Sequence, residues 1–144
     1  MKKLSLISLL IFPTLLQAGQ LPIGDPLPSS AKALEDKVMI APAQISSAYA
    51  VFNAGITFIV SVDDDGNLNY ISTNDSRFIT AESLRVGDTF RKATDFRVGE
   101  VKKEPGWCYW VQLSSGWKAA FSQGPSATEG NLNPNSRIQW FFRK

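Results

Sequence analysis

The sequence predicts an α+β domain: an antiparallel sheet of five or six strands with one short helical segment packed on a face. Three observations carry this. From Ile56 to Ser72, two runs of alternating apolar and polar residues flank a turn rich in aspartate and glycine. From Trp107 to Phe121, two more such runs flank Ser114-Ser115-Gly116. Between them, Thr80 and Asp88 stand as caps before short helical stretches.

The elements follow in order. Residues 1–18 have the layout of a secretory signal peptide. Lys2 and Lys3 give a positive start, residues 4–16 are almost wholly apolar, and Ala18 is a small residue at the expected cut. The apolar run falls short of the roughly 20 residues needed to span a bilayer. Residues 19–42 read as an extended leader, rich in proline and glycine, with a short helix from Ser30 that Pro42 stops. Residues 43–144 form the single α+β domain. Within it, residues 45–53 fit a strand or a helix equally well.

In the first hairpin, Gly66 takes the left-handed place of a three-residue loop. That register pairs Val62 with Leu68 and Val60 with Tyr70, and sets Ser61 opposite Asn69. Thr80 caps a turn that Gly87 breaks. Asp88 then caps a helix over residues 89–94, with Phe90 and Ala93 on the sheet. Residues 96–103 and 137–143 read as further strands, the latter with Ile138, Trp140 and Phe142 inward. In the second hairpin, Gly116 sets a register of Leu113 with Trp117, Val111 with Ala119 and Tyr109 with Phe121. Residues 123–136 are a long loop, the kind that is usually functional or mobile.

Composition removes whole classes of chemistry. The chain has no histidine, which excludes Ser-His-Asp triads, Cys-His dyads and histidine metal sites. Lys2 and Lys3 account for the whole net charge of +2, so the chain after the signal is balanced. Nucleic-acid binding and a polybasic membrane tether both call for a basic excess. Cys108 is the single cysteine, so no disulfide forms within the chain, and a buried, inert thiol is expected. Gly19, rather than cysteine, follows the cut, so no lipid anchor is expected.

Asp63, Asp65 and Gly66 match part of a calcium loop. Ser61 and Ser72 stand where its first and last acidic ligands belong, so no metal is expected. Ser115 and Lys118, like Ser29 and Lys32, have the serine–lysine spacing of penicillin-binding enzymes without the partner motifs. No cofactor is expected.

The aromatic residues remain. Trp107, Trp117 and Trp140 read as core, whereas alternation turns Trp110 and Phe141 to the opposite faces of their strands. Beside Lys118, Arg137 and Arg143, these two form a candidate binding patch. The expectation is an exported, non-enzymatic binding protein of the periplasm or secreted fraction. Its partner would be an envelope protein, as for an inhibitor, an immunity protein or an assembly accessory. The alternatives are a small-ligand or glycan binder using Trp110, Phe141 and the 123–136 loop, or an enzyme that works without histidine.

One stretch carries a resemblance. Ser72-Thr73-Asn74-Asp75, Phe78-Ile79-Thr80 and Gly87-Asp88 resemble a segment of small exported bacterial proteins of unknown function. There a strand ending in Ser-Thr-x-Asp leads to Phe-x-Thr and a Gly-Asp helix start. Gly106-Trp107 and the run from Ser115 to Phe121 fit the same pattern. Ser83 departs from it, standing where glycine is usual before Leu84. The resemblance implies a fold and an exported location, and no activity.

Export has a direct check. Intact mass of protein recovered from the envelope fraction should correspond to a chain beginning at Gly19. Full-length protein in the cytoplasm would refute the signal-peptide reading.

Overall fold

The computed structural model describes residues 21–144, so the signal-peptide reading of residues 1–18 lies outside them. The fold differs from the expected one. It is mostly β: a single eight-stranded antiparallel sheet in the order β1-β2-β3-β4-β8-β7-β6-β5. The strands are β1 (Lys32–Ala41), β2 (Gln44–Asn53), β3 (Ile56–Val62), β4 (Leu68–Thr73), β5 (Lys102–Glu104), β6 (Cys108–Gln112), β7 (Lys118–Phe121) and β8 (Trp140–Arg143). The helix, α1 (Phe90–Thr94), is one short turn capped by the Thr89 side chain, and it is no layer over the sheet.

The extra strands come from the region read as leader and helix. β1 carries Lys32, Glu35, Asp36 and Lys37, which look helical in sequence but here face solvent on an edge strand. Pro42 marks a corner rather than a helix stop. Ala41 pairs with Gln44 across a two-residue turn in which Ala43 has φ 56°. The next turn, Ala54-Gly55, has φ of 50° and 81°, as tight hairpins require. The leader before β1 is pinned to the β3–β4 loop. Gly24 N–H donates to Leu68 O at 2.8 Å, and Leu68 N–H donates to Asp25 O at 2.7 Å.

The β3–β4 register agrees with expectation at one point and shifts beyond it. Val62 pairs with Leu68, but Ser61 then pairs with Tyr70 and Val60 with Ile71. Asn69 is the extra residue of a β-bulge, and its side chain accepts a hydrogen bond from the Ser61 hydroxyl. The bulge turns Tyr70 away from Val60 and puts Ile71 beside it. In the loop, the Asp63 carboxylate accepts the backbone N–H of Asp65 and of Asn67, each at 3.0 Å. The β6–β7 register is the expected one: Tyr109 opposite Phe121 and Val111 opposite Ala119.

Both faces of the sheet bury apolar side chains. The larger core gathers Phe58, Val60, Ile71, Val111, Phe121 and Phe141 from the strands, with Trp117 just before β7 and Leu21 of the leader. Phe78, Leu84, Ala93 and Ile138 cover them from the connecting segments. Phe78 lies at its centre, 4.9 Å from Trp117, 5.5 Å from Phe141 and 5.9 Å from Phe58 between ring centres. The smaller core on the other face holds Tyr70, Trp107, Cys108, Ala120 and Phe142, with Ile40 of β1. A sheet that buries both faces within one chain curls, and here the edges converge over the smaller core. Lys144 Nζ donates to Ile40 O of β1 at 3.1 Å and lies 3.8 Å from the Glu104 carboxylate of β5.

Gly116 closes the β6–β7 turn at φ 93°. A Cβ there would meet the Arg143 guanidinium no closer than 3.8 Å, so substitution strains the backbone rather than the packing. Gly116→Val should lower stability by about 1–2 kcal/mol, read by thermal unfolding. An unchanged melting temperature would refute the left-handed turn.

Candidate functional site

The smaller core is open along one side, forming a trough of about 380 Å³. Val38 and Met39 of β1 form one wall. Ile59 of β3 with Tyr70 and Ser72 of β4 form the floor, and Trp107, Ser122, Gln139 and Trp140 form the far wall, with Asn74 at the rim. Strand alternation explains the floor. Ile59 pairs with Ser72, and Ser61 with Tyr70, so Ile59, Tyr70 and Ser72 share a face only because of the Asn69 bulge. Trp107 joins them because Gly106, at φ 77°, turns the chain before β6. The aromatic rings surround Phe142, with Trp107 at 4.9 Å, Tyr70 at 5.9 Å and Trp110 at 6.2 Å.

A belt of charge and indole borders the trough. Trp110 Nε1 donates to Glu104 Oε2 at 2.9 Å, and Lys118 Nζ sits 5.3 Å from the Trp110 ring centre. Lys144 Nζ sits 4.4 Å from the Trp107 ring centre. These cation–aromatic contacts hold the lysines over the rings. Burial first, and then the positive neighbour Lys144, lowers the Lys118 pKa from its usual range.

Inside, the groups are neutral. Burial pushes the Tyr70 hydroxyl up to about 12, against the opposing pull of Ser72 and Trp140. The Trp140 indole N–H approaches that hydroxyl without reaching hydrogen-bond geometry, and it is buried with no other partner. Ser72 Oγ donates to Ile59 O at 3.3 Å. Burial, reinforced by Glu104, pushes the Cys108 thiol up to about 12, so it remains protonated and unreactive at neutral pH.

The five residues expected as a binding patch separate. Trp110 and Lys118 are neighbours, half-buried on the trough side. Phe141 faces the larger core and is 0% exposed. Arg143 turns to that side as well, stacking 4.3 Å from the Trp117 ring centre and donating to Ser115 O at 3.1 Å. Burial lowers its pKa from the ordinary value. Arg137 donates to Gly87 O at 2.7 Å, away from the others. The reason is phase. Phe142 pairs with Ser72 and Lys118, and Phe141 with Thr73 and Ala119, so Trp140 and Phe142 share the trough face. The 123–136 loop packs toward the larger core instead: the Tyr109 hydroxyl donates to Gly130 O, and Leu132 lies against the core residues.

Sequence reasoning missed Trp107 and Trp140 as site residues by reading them as core, and Tyr70 by pairing it with Val60. A sequence signal for the second face was the alternation that turns Trp110 away from Tyr109, Val111 and Leu113. The polar lining residues Ser72, Asn74, Ser122 and Gln139 carry no motif.

Two buried acids on one face give a pH signature. In the unfolded chain, Cys108 and Tyr70 ionise near their ordinary values of 9.0 and 10.0; in the fold both wait until about 12. The folded state therefore holds more protons in that window, and stability falls as pH rises from about 9 to about 12. Urea unfolding across this range should show the fall, and the Cys108→Ala, Tyr70→Phe double variant should flatten it. An unaltered slope in the double variant would mean that other groups carry it.

No family model matches the sequence, and no curated protein aligns with it. Among solved structures, the fold is similar to the crystal structure of the uncharacterized protein yfeY from Escherichia coli. The TM-score is 0.53 at 12% sequence identity, covering 88% of this chain and 94% of that one. At that identity, the likeness is one of fold.

Proposed function

We propose that this protein is an exported, non-enzymatic binding protein of the cell envelope, and that the trough is where it holds a small ligand. The observation that carries the reading is the trough itself. Its volume of about 380 Å³ lies in the small-molecule range of roughly 300–1,000 Å³, and aromatic walls with scattered polar groups are typical of such sites. Holding rather than transforming fits the chemistry of the lining. Its side chains are neutral, the nearby thiol is kept protonated by burial, and the sequence offers no histidine. The export half of the proposal rests on residues 1–18 of the sequence. An envelope protein as partner keeps one supporting observation: Ile45 and Phe52 of β2 are 60% and 68% exposed, on a hairpin that stands at the edge of the sheet.

The test is native mass spectrometry of the protein purified gently from its own envelope fraction. The expected result is a bound small molecule that is released chemically unchanged. Ser122→Trp, a substitution at an exposed position on the trough wall, should abolish the adduct without altering the melting temperature. Absence of any adduct, or an adduct equally held by Ser122→Trp, would refute the trough as the ligand site.

A further inference from the structure

We infer that the trough takes a neutral sugar, a pyranose ring laid against Trp140 with its hydroxyls turned to the hydroxyl and amide side chains of the lining. This rests on the reading of the trough as the ligand site and goes further by naming the ligand class. Three properties of the lining select it. First, every lining side chain is uncharged. A carboxylate or phosphate would give up hydration here without a counter-charge, which is costly. The lysines beside the trough are already held over Trp110 and Trp107.

Second, the apolar lining includes an accessible ring beside the aliphatic Val38, Met39 and Ile59. Trp140 is half-buried and presents a ring, backed by the buried Trp107 and Tyr70, and an axial C–H face of a sugar covers a ring as an aromatic neighbour would. Third, hydrogen-bonding groups are interleaved with the rings. Ser72, Asn74, Ser122 and Gln139 supply hydroxyls and amides that both donate and accept. The buried Trp140 N–H has only the Tyr70 hydroxyl near it, outside hydrogen-bond geometry, so a better-placed acceptor would satisfy it. A fatty chain would cover the rings and leave these groups unpaired. A sugar meets both demands, because its hydroxyls ring an apolar face.

The experiment uses the full mature chain, with tryptophan fluorescence and calorimetry as readouts. The probes are glucose, N-acetylglucosamine and the β-1,4-linked disaccharide of each, with dodecanoate as the fatty comparison. At least one sugar should bind saturably, with Kd below about 1 mM. Trp140→Phe keeps a ring and removes the N–H, and should weaken binding by about tenfold. Asn74→Ala, at an exposed position, provides a second variant that should also weaken binding if Trp140→Phe does not fold. Ser122→Trp should abolish binding.

Failure of all four sugars, binding of dodecanoate in their place, or sugar binding that survives Ser122→Trp would each overturn the inference. The native mass measurement separates the two readings. A non-sugar adduct lost in Ser122→Trp keeps the trough as a ligand site and removes the sugar; no adduct and no sugar binding removes both.

Discussion

The sheet exists as one body because of four residues. β8 pairs with β4 on one side and β7 on the other, and it is the only strand joining the β1–β4 meander to the β5–β7 group. Its contacts are far apart in sequence: Thr73 meets Phe141, and Ala119 meets Phe141 from the other side. Such pairings carry a large entropy of closure and need strong local reward. β8 has it on both faces at once. Phe141 is buried in the larger core, and Phe142 stands at the centre of the smaller one. A strand this short would not hold two sheet halves by backbone hydrogen bonds alone; side-chain burial on two faces is what makes the seam hold.

From that seam follows the shape of the site. With Phe142 at the middle of the second face, Tyr70, Trp107 and Trp110 gather round it, and the sheet curls over them until Lys144 reaches both Ile40 and Glu104. The larger core is covered by the long connection that contains Phe78, Leu84 and Ala93. Among the described residues the smaller one has no comparable cover, and its open part is the trough. The asymmetry reflects topology: the connection from β4 to β5 crosses one face only. The second face must be closed by curling, which leaves a gap at β1, whose pairing with β2 is interrupted by two register shifts.

How much of this was legible in the sequence depended on whether a strand has one wet face. In β6–β7, Gln112 and Lys118 mark the phase, Gly116 marks the turn, and the register can be read residue by residue. In β8, Trp140, Phe141 and Phe142 run together with no polar residue between them: Phe142 and, just before the strand, Ile138 are inward as expected, but Phe141, expected on an open face, is buried as well, because both faces of the strand are covered. The Asn69 bulge is invisible for a different reason. A single inserted residue leaves the composition of both strands intact while reversing the face of everything beyond it. Tyr70 was paired with Val60 on that account, whereas it stands opposite Ser61. β1 was missed because Ala31, Ala33 and Leu34 after Ser30 favour a helix, while its charges fit an exposed edge strand equally well. The site inherits these errors. Trp110 and Lys118 were found because β6–β7 could be read, whereas Tyr70, Trp107 and Trp140 depend on a bulge, a turn and a phase that could not.

Those same charges have a use at the sheet boundary. An open sheet offers unpaired N–H and C=O groups at each edge, and a long flat edge invites other chains to add to it. β1 is long, but Lys32, Glu35, Asp36 and Lys37 lie along it, and its register shifts break its regularity. β5, at the other edge, has three residues, and two of them are Lys102 and Lys103. Both boundaries therefore discourage strand addition, and the curled sheet avoids aggregation without having to close into a full barrel.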